Sequence, residues 1–235
     1  EDISNLMVGR EISFEYDKEE VKLGEEVLRV ENLKYVDKFK IPKLSGVSFK
    51  VSRGEIVGVA GVEGNGQSEM ISIITGNMAA IDGKVFLNGT DITRESINNI
   101  RKLGMSHVPE DRMLDGCAPE MSVQENLTVS NIDSFANKTG MIQKSKIKEF
   151  CKNQIVEFNV KTKDENQSIG SLSGGNIQKV IVAREFKAKS DLLILNQPTR
   201  GVDVGAISFI HSKILEMRSD NKAILLVSAD LNELI

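Results

Sequence analysis

Two short runs, Leu192-Leu-Ile-Leu195 and Ala223-Ile-Leu-Leu-Val227, contain no polar residue, and a stretch of helical length at about 205–218 separates them. A strand with one wet face alternates apolar and polar positions, whereas an unbroken run this short reads as a strand covered on both faces. Strands alternating with helices point to a parallel sheet flanked by helices, so an α/β core is expected. Earlier segments fit around it. Val27-Leu-Arg-Val30, Leu44-Ser-Gly-Val-Ser-Phe-Lys-Val51 and Glu55-Ile-Val-Gly-Val-Ala60 are β-rich and partly alternating, with Arg53-Gly54 as a tight turn between the last two. Ser68-Glu-Met-Ile-Ser-Ile-Ile74 has helical length and is closed by Gly76. Lys84-Val-Phe-Leu87 with Asn88-Gly89 reads as a hairpin, residues 94–103 as a helix and Gly104-Met-Ser-His-Val108 as a strand. Beyond about 113 the chain becomes helix-rich and polar, with Ser122 placed to cap a helix over Val123–Leu127. The expected organisation is an arm at 1–26, a core at 27–112 and 181–235, and an inserted helical lobe at 113–180.

Composition narrows the partners. The chain has 235 residues, 40% of them apolar, which suits one sizeable domain or one core with a smaller lobe. A net charge of −4 argues against binding nucleic acid through bulk charge. Lys144-Ser145-Lys146-Ile147-Lys148 is flanked by Glu149 and reads as a solvated helix face. Cys117 and Cys151, with no C-x-x-C spacing, fit a reduced compartment better than a disulfide framework or a zinc site. No apolar run reaches the ~20 residues that span a bilayer, and no signal peptide opens the chain. A membrane role is therefore expected to run through a partner, from the cytoplasm. The chain opens on Glu1 rather than Met, as a piece of a longer polypeptide would.

Gly61-Val-Glu63-Gly64-Asn65-Gly66-Gln67-Ser68 follows a strand and opens a helix. Glycines there let backbone N–H groups turn inward, and the helix N-terminus adds positive potential, which is how a loop cradles phosphate. The full phosphate-loop pattern, G-x-x-x-x-G-K-[ST], fails at one place, because the lysine position holds Gln67. Alone, such a turn fits simple packing equally well.

A second constellation carries more weight. Leu172-Ser173-Gly174-Gly175-Asn176-Ile-Gln178 precedes Leu192-Leu-Ile-Leu-Asn196-Gln197-Pro198-Thr199, and then come Arg200-Gly-Val-Asp203 and Val227-Ser228-Ala229-Asp230. In order and spacing these segments resemble the signature, Walker B, D-loop and H-loop motifs of the ABC ATPases. Gly61-Val-Glu-Gly-Asn-Gly-Gln-Ser-Glu69, Val108-Pro-Glu-Asp-Arg112 and Gln197-Pro-Thr-Arg-Gly201 narrow the likeness to the second ATPase domain of fused importers of ribose-type sugars or nucleosides. Leu6-Met-Val-Gly-Arg-Glu11 is similar to the join between the two domains of such chains.

The resemblance implies a P-loop ABC ATPase core with a parallel sheet, an N-terminal antiparallel β region and an inserted helical lobe, binding ATP and Mg²⁺. It also implies what has been lost. Gln67 stands for the phosphate-binding lysine, Glu110 for the Q-loop glutamine, Asn196 for the Mg²⁺-supporting aspartate, Gln197 for the catalytic glutamate and Ala229 for the H-loop histidine. A neutral hydrogen bond contributes about 1 kcal/mol against ~1.5–3 for a charge-assisted one, so Gln67 is expected to weaken the phosphate grip roughly tenfold. An amide cannot take the proton of an attacking water, and losing a general base costs ~10²–10⁴ in rate. Ser68 is retained and remains a weak Mg²⁺ candidate, while Glu69 brings a negative charge to the next position. No catalytic set is left, so the site is expected to be silent as a hydrolase.

In such domains each pocket is completed by the signature loop of a partner. Leu172, Ser173, Gly174, Gly175, Asn176 and Gln178 are intact, with Asp203 in the D-loop, so this loop is expected to serve another domain's ATP. Implied partners are a preceding ATPase domain of the same polypeptide, transmembrane permease subunits and, indirectly, a solute-binding protein. Nucleic acid is not among them. The implied location is the cytoplasmic face of the cell membrane, peripherally, with the Glu110-Asp-Arg112 segment and the helical lobe facing the permease. Either Tyr35 or Phe39 would stack on adenine. His107 and His211 lie outside the H-loop position and read as structural. Three other roles fit parts of the pattern: an active ATPase using Glu69 or Glu110 as base, a protein acting on ribosomes or DNA, and a structural module that never binds nucleotide.

Overall fold

The computed structural model describes residues 22–62 and 64–233. Leu6-Met-Val-Gly-Arg-Glu11, the rest of the arm up to residue 21, and Glu63 lie outside the described residues. The chain separates into two compact units. One contains residues 22–107, Lys189–Gln197 and 215–233, and the other contains Val108–Ala188 and Pro198–Ile214. Among the described residues no helix is long and apolar enough to cross a membrane.

The first unit is built on two four-stranded sheets. Its strands are β1 (Glu26–Val36), β2 (Pro42–Ser52), β3 (Ile56–Ala60), β4 (Asp82–Leu87), β5 (Thr90–Asp91), β6 (Met105–Val108), β7 (Leu192–Asn196) and β8 (Ala223–Ser228). The order β2-β1-β4-β5 forms an antiparallel sheet, and β3-β8-β7-β6 forms the second. Within the second, β3 runs parallel to β8 with Ile56 opposite Ile224, and β7 parallel to β8 with Leu192 opposite Ala223. Every residue of β7 and β8 is buried, as their apolar sequence requires. The helix α1 (Gln67–Ile74) lays Met70, Ile71, Ile73 and Ile74 onto a core shared with Val27, Leu28 and Val30 of β1 and Val85 and Leu87 of β4.

Polar ties pin the start of β7. Asp191 accepts from Arg53 Nη1 at 2.9 Å and from Asn88 Nδ2 at 3.0 Å, and Lys222 Nζ donates to the Ser190 carbonyl. The Arg53 hydrogen bond, its charge and Asn88 together hold the Asp191 carboxyl below its ordinary value against the opposing effect of burial. The helix expected over 94–103 is shorter, α2 (Ile97–Lys102), because Ser96 caps it by accepting from the Asn99 N–H at 3.3 Å.

The second unit carries α3 (Val123–Thr128), α4 (Lys144–Glu157), α5 (Gly174–Phe186) and the first part of α6 (Val204–Ser219). Ser122 caps α3 as its sequence suggests. Its Oγ accepts from the Glu125 N–H at 3.2 Å while Glu125 accepts from the Ser122 N–H at 2.8 Å, a reciprocal box, and the Ser122 hydroxyl, donating to the same carboxylate at 2.7 Å, lowers the Glu125 pKa together with that N–H. In α5 the run Val180–Ala183 is inaccessible on all sides, so this helix is fixed by packing along its whole middle.

Candidate functional site

In the first unit, β3, β8 and β7 lie side by side and parallel, and Ala60 pairs with Ser228 as Asn196 pairs with Val227. The loop after β3, Asn196 with Gln197, and Ala229 therefore share the carboxyl edge of one sheet, where open α/β sheets bind ligands. The loop turns through Gly64 at φ 90° and Gly66 at φ 97°. At Gly66 a side chain is also sterically barred, since a Cβ would sit 2.3 Å from the Lys43 carbonyl oxygen of β2. A Cβ on Gly64 would meet nothing within 4 Å, so that side of the loop is open. The residue at the start of α1 is Gly66, which has no side chain with which to cap the helix.

Gln67 folds back over this loop. Its Nε2 donates to the Val62 carbonyl at 3.2 Å, which Asn65 Nδ2 also approaches at 3.1 Å. The amide fills the place a Cβ on Gly61 would take, 1.9 Å from its Nε2. Gln67 Oε1 is buried with no hydrogen-bond partner among the described residues. Ser68 is exposed and Glu69 half-buried in the first turn of α1. Of the two aromatics, Tyr35 packs against the core and Phe39 is 72% exposed.

At the far side of the edge, Asn196 is buried at the end of β7. Gln197 adopts a left-handed backbone (φ 52°) and ties the ends of β7 and β8 together. Its N–H donates to the Val227 carbonyl at 2.8 Å, and its Oε1 accepts from the Ala229 N–H at 3.2 Å. That bond fixes the amide's orientation, with its oxygen turned toward the Ala229 N–H. Gln67, Asn196, Gln197 and Ala229 together carry no charge and no proton acceptor of carboxylate strength.

The signature segment sits in the second unit and is held differently. Leu172 follows a tight turn over Ile169–Ser171 and Ser173 opens α5. The Ser173 hydroxyl accepts from Asn176 Nδ2 at 2.8 Å, while Asn176 Oδ1 accepts from the Lys161 N–H at 2.7 Å. Gln178, almost fully buried, donates to the Pro198 carbonyl at 2.7 Å. A Cβ on Gly175 would press to 2.8 Å from Asp203 Oδ2, and one on Gly174 to 2.9 Å from Arg112 Nη2. Asp203 in turn accepts from the Ala206 N–H at 3.0 Å, capping α6.

Arg112 is the residue whose role sequence reasoning missed. Its guanidinium donates to the Arg200 carbonyl at 2.7 Å and the Gly201 carbonyl at 3.2 Å, and Glu110 pairs with the Arg200 guanidinium. Asp111 accepts from the Met113 and Leu114 N–H groups, which lowers its pKa and starts the π-helical turn Arg112–Gly116. Both arginines stand in the quoted motifs, Val108-Pro-Glu-Asp-Arg112 and Gln197-Pro-Thr-Arg-Gly201, but only tertiary structure shows that one clamps the other's backbone.

The sequence profile of the ABC transporter family matches residues 44–200, from β2 through the phosphate loop and signature to the segment after β7. The chain belongs to the ABC transporter family. This ABC domain is 40% identical to the nucleoside import ATP-binding protein NupA of Lactococcus lactis subsp. cremoris, an alignment covering 100% of the chain and 47% of that protein. It is 39% identical to the guanosine import ATP-binding protein NupO of Bacillus subtilis, covering 100% of the chain and 46% of NupO. The chain thus spans about half the length of the curated relatives it matches. A bacterial ABC transporter cassette solved as a dimer superposes with a TM-score of 0.77 at 20% identity, covering 88% of this chain and 89% of that one. The P-loop ABC ATPase fold, with its antiparallel β region and parallel sheet, is therefore established.

Domains of this family bind ATP with Mg²⁺. The phosphate side of this ABC domain fits that ligand, with an open turn at Gly64, an uncapped helix start and the Gln67 amide donor. The metal side is thinner. The two residues that the resemblance leaves for Mg²⁺, Ser68 and Asn196, are both neutral, one exposed on α1 and the other buried at the end of β7.

Proposed function

We propose that this chain is a nucleotide-binding domain of a membrane importer for nucleosides or simple sugars, silent in its own pocket and active in trans through its signature loop. The observation that carries the reading is the polarity of the residue after β7. Gln197 is an amide held by the Ala229 N–H at its oxygen, and an amide oxygen is too weak a base to take the proton of an attacking water. The same neutral character at Gln67, Asn196 and Ala229 suits a pocket that holds nucleotide without cleaving it. Ser173, Gly174 and Gly175 keep the hydroxyl and the helix start that a γ-phosphate on a partner domain requires.

Importer relatives of about twice this length support a place beside another ATPase domain in one polypeptide, as its second domain. The permease subunits, with the solute-binding protein beyond them, then complete the assembly at the cytoplasmic face of the membrane. In this reading Ser68 is the remaining Mg²⁺ contact, Gly61, Gly64, Asn65, Gly66 and Gln67 surround the phosphates, and Phe39, the exposed aromatic, stacks on adenine.

The direct test is Mg-ATP turnover by the chain at concentrations that force self-association. Background-level phosphate release is the expected result. Turnover proportional to protein and surviving repurification overturns the silent-pocket reading.

A further inference from the structure

We propose that Lys43, from β2, supplies against the nucleotide phosphates the positive charge that position 67 lacks. The inference rests on the reading that this pocket takes nucleotide. Lys43 stands at the edge of the phosphate loop for a reason of backbone packing. Its own carbonyl oxygen lies where a Cβ on Gly66 would fall, so β2 and the loop touch directly. From there the side chain reaches along the loop, and Nζ comes within 3.4 Å of the Gly64 carbonyl oxygen.

Three features make this ammonium a phosphate ligand rather than a structural tie. The bond to Gly64 is at the long limit for N–H···O, so little is lost in exchanging it for a phosphate oxygen. Among the described residues Lys43 is paired with no carboxylate. The space next to Gly64 is open, and the four side chains that replace the family's charged groups are neutral. A polyphosphate entering there would find backbone N–H groups and amides on the described part of the loop, with the Lys43 ammonium beside them. A lysine ammonium is a compact point charge suited to that task, and its flexible stem lets it approach from a strand as readily as from the helix start. The loop carbonyls show the same arrangement twice. Gln67 Nε2 rests on Val62 and Lys43 Nζ on Gly64, so two donors wait on loop oxygens that phosphate would replace as acceptors. The glutamine then contributes the hydrogen bond, and the lysine the charge.

The experiment is titration of the full chain with a fluorescent N-methylanthraniloyl ATP, comparing wild type, Lys43→Gln, Gln67→Lys and the double variant. Thermal melts accompany each protein. Lys43→Gln is expected to raise Kd about tenfold, the difference between a charge-assisted and a neutral contact, and to flatten the dependence of Kd on salt. Adding Gln67→Lys to that variant should restore most of the affinity, because the charge is back at the loop by the other route. In wild type the same substitution should gain less. A Lys43→Gln Kd within twofold of a measurable wild-type value overturns the role of Lys43 and leaves the nucleotide reading standing. A loss that Gln67→Lys does not rescue assigns the effect to loop distortion and overturns it as well. If neither wild type nor Gln67→Lys binds the probe, the nucleotide reading itself falls, and this inference with it.

Discussion

The phosphate-loop edge and the signature segment keep the same kind of backbone by opposite means. At the first, glycines and the helix start are in place while the side chains at the replaced positions are amides or alanine, and the polar contacts run to backbone groups of the loop and the strand ends. Gln67 Oε1 is left without a partner among the described residues. At the second, nearly every polar group is engaged: Ser173 with Asn176, Asn176 with Lys161, Gln178 with Pro198, and Arg112 with two carbonyls. A loop that only has to hold an anion can lose its charges and still keep its shape, because backbone N–H groups do the holding. A loop that must present a hydroxyl and two glycines at a fixed angle needs the network behind it.

The most demanding way to break this contrast is to restore the lost charges. Gln67→Lys, Asn196→Asp, Gln197→Glu and Ala229→His combined should raise Mg-ATP turnover about 10²–10⁴-fold over the chain's background, measured by phosphate release. Gln197→Glu alone should add little, since the residues that act with a base would still be missing. Next in size is Ser173→Arg in the assembled transporter, expected to lower turnover about a hundredfold or more by blocking the partner's γ-phosphate contact. Near-normal turnover in that variant removes the trans role and with it the contrast.

Smaller effects sharpen the comparison through stability. Arg112→Ala removes hydrogen bonds from a guanidinium to two carbonyls and leaves Glu110 paired with Arg200 across an unsupported loop. A loss of about 2 kcal/mol in urea unfolding is expected, with an unchanged m-value. Asp191→Asn tests the other unit. Because Arg53 depresses the native carboxyl pKa, the stabilisation is complete above the unfolded value of ~3.9 and is lost as pH falls through the lower native value. The side chain is 35% exposed, so solvent screening holds the expected loss to about 1 kcal/mol at neutral pH. The wild-type and variant melting temperatures should converge in acid. A gap that stays constant down to low pH shows the pair to be uncoupled from folding.

Much of the fold was legible because burial wrote itself into the residues. β7 and β8 are apolar at consecutive positions, the turn after β4 is Asn88-Gly89, and Ser122 stands three residues before Glu125. The glycine turn after β3 and the Ser173 start of α5 were legible as backbone features for a similar reason, since each is a short segment whose conformation is local. What stayed hidden depends on register between distant segments. Lys43 looks like any strand-edge lysine until β2 is placed against Gly66, and Arg112 like any surface arginine until the chain returns at Arg200 and Gly201. Pattern also leaves Tyr35 and Phe39 equivalent, whereas the structure packs Tyr35 against the core and leaves Phe39 exposed.

The overlap between the Gln67 amide and the missing Cβ of Gly61 couples the mutational histories of the two positions. Alanine at 61 pushes the amide from its seat, a small cost because the displaced group is the end of a flexible side chain, and with it goes the Gln67 bond to the Val62 carbonyl. Replace Gln67 first by a residue that does not fold over the loop, and position 61 gains freedom it did not have. A library randomising both sites should therefore show a modest coupling between residues six apart, with substitutions at 61 enriched where the glutamine has been replaced.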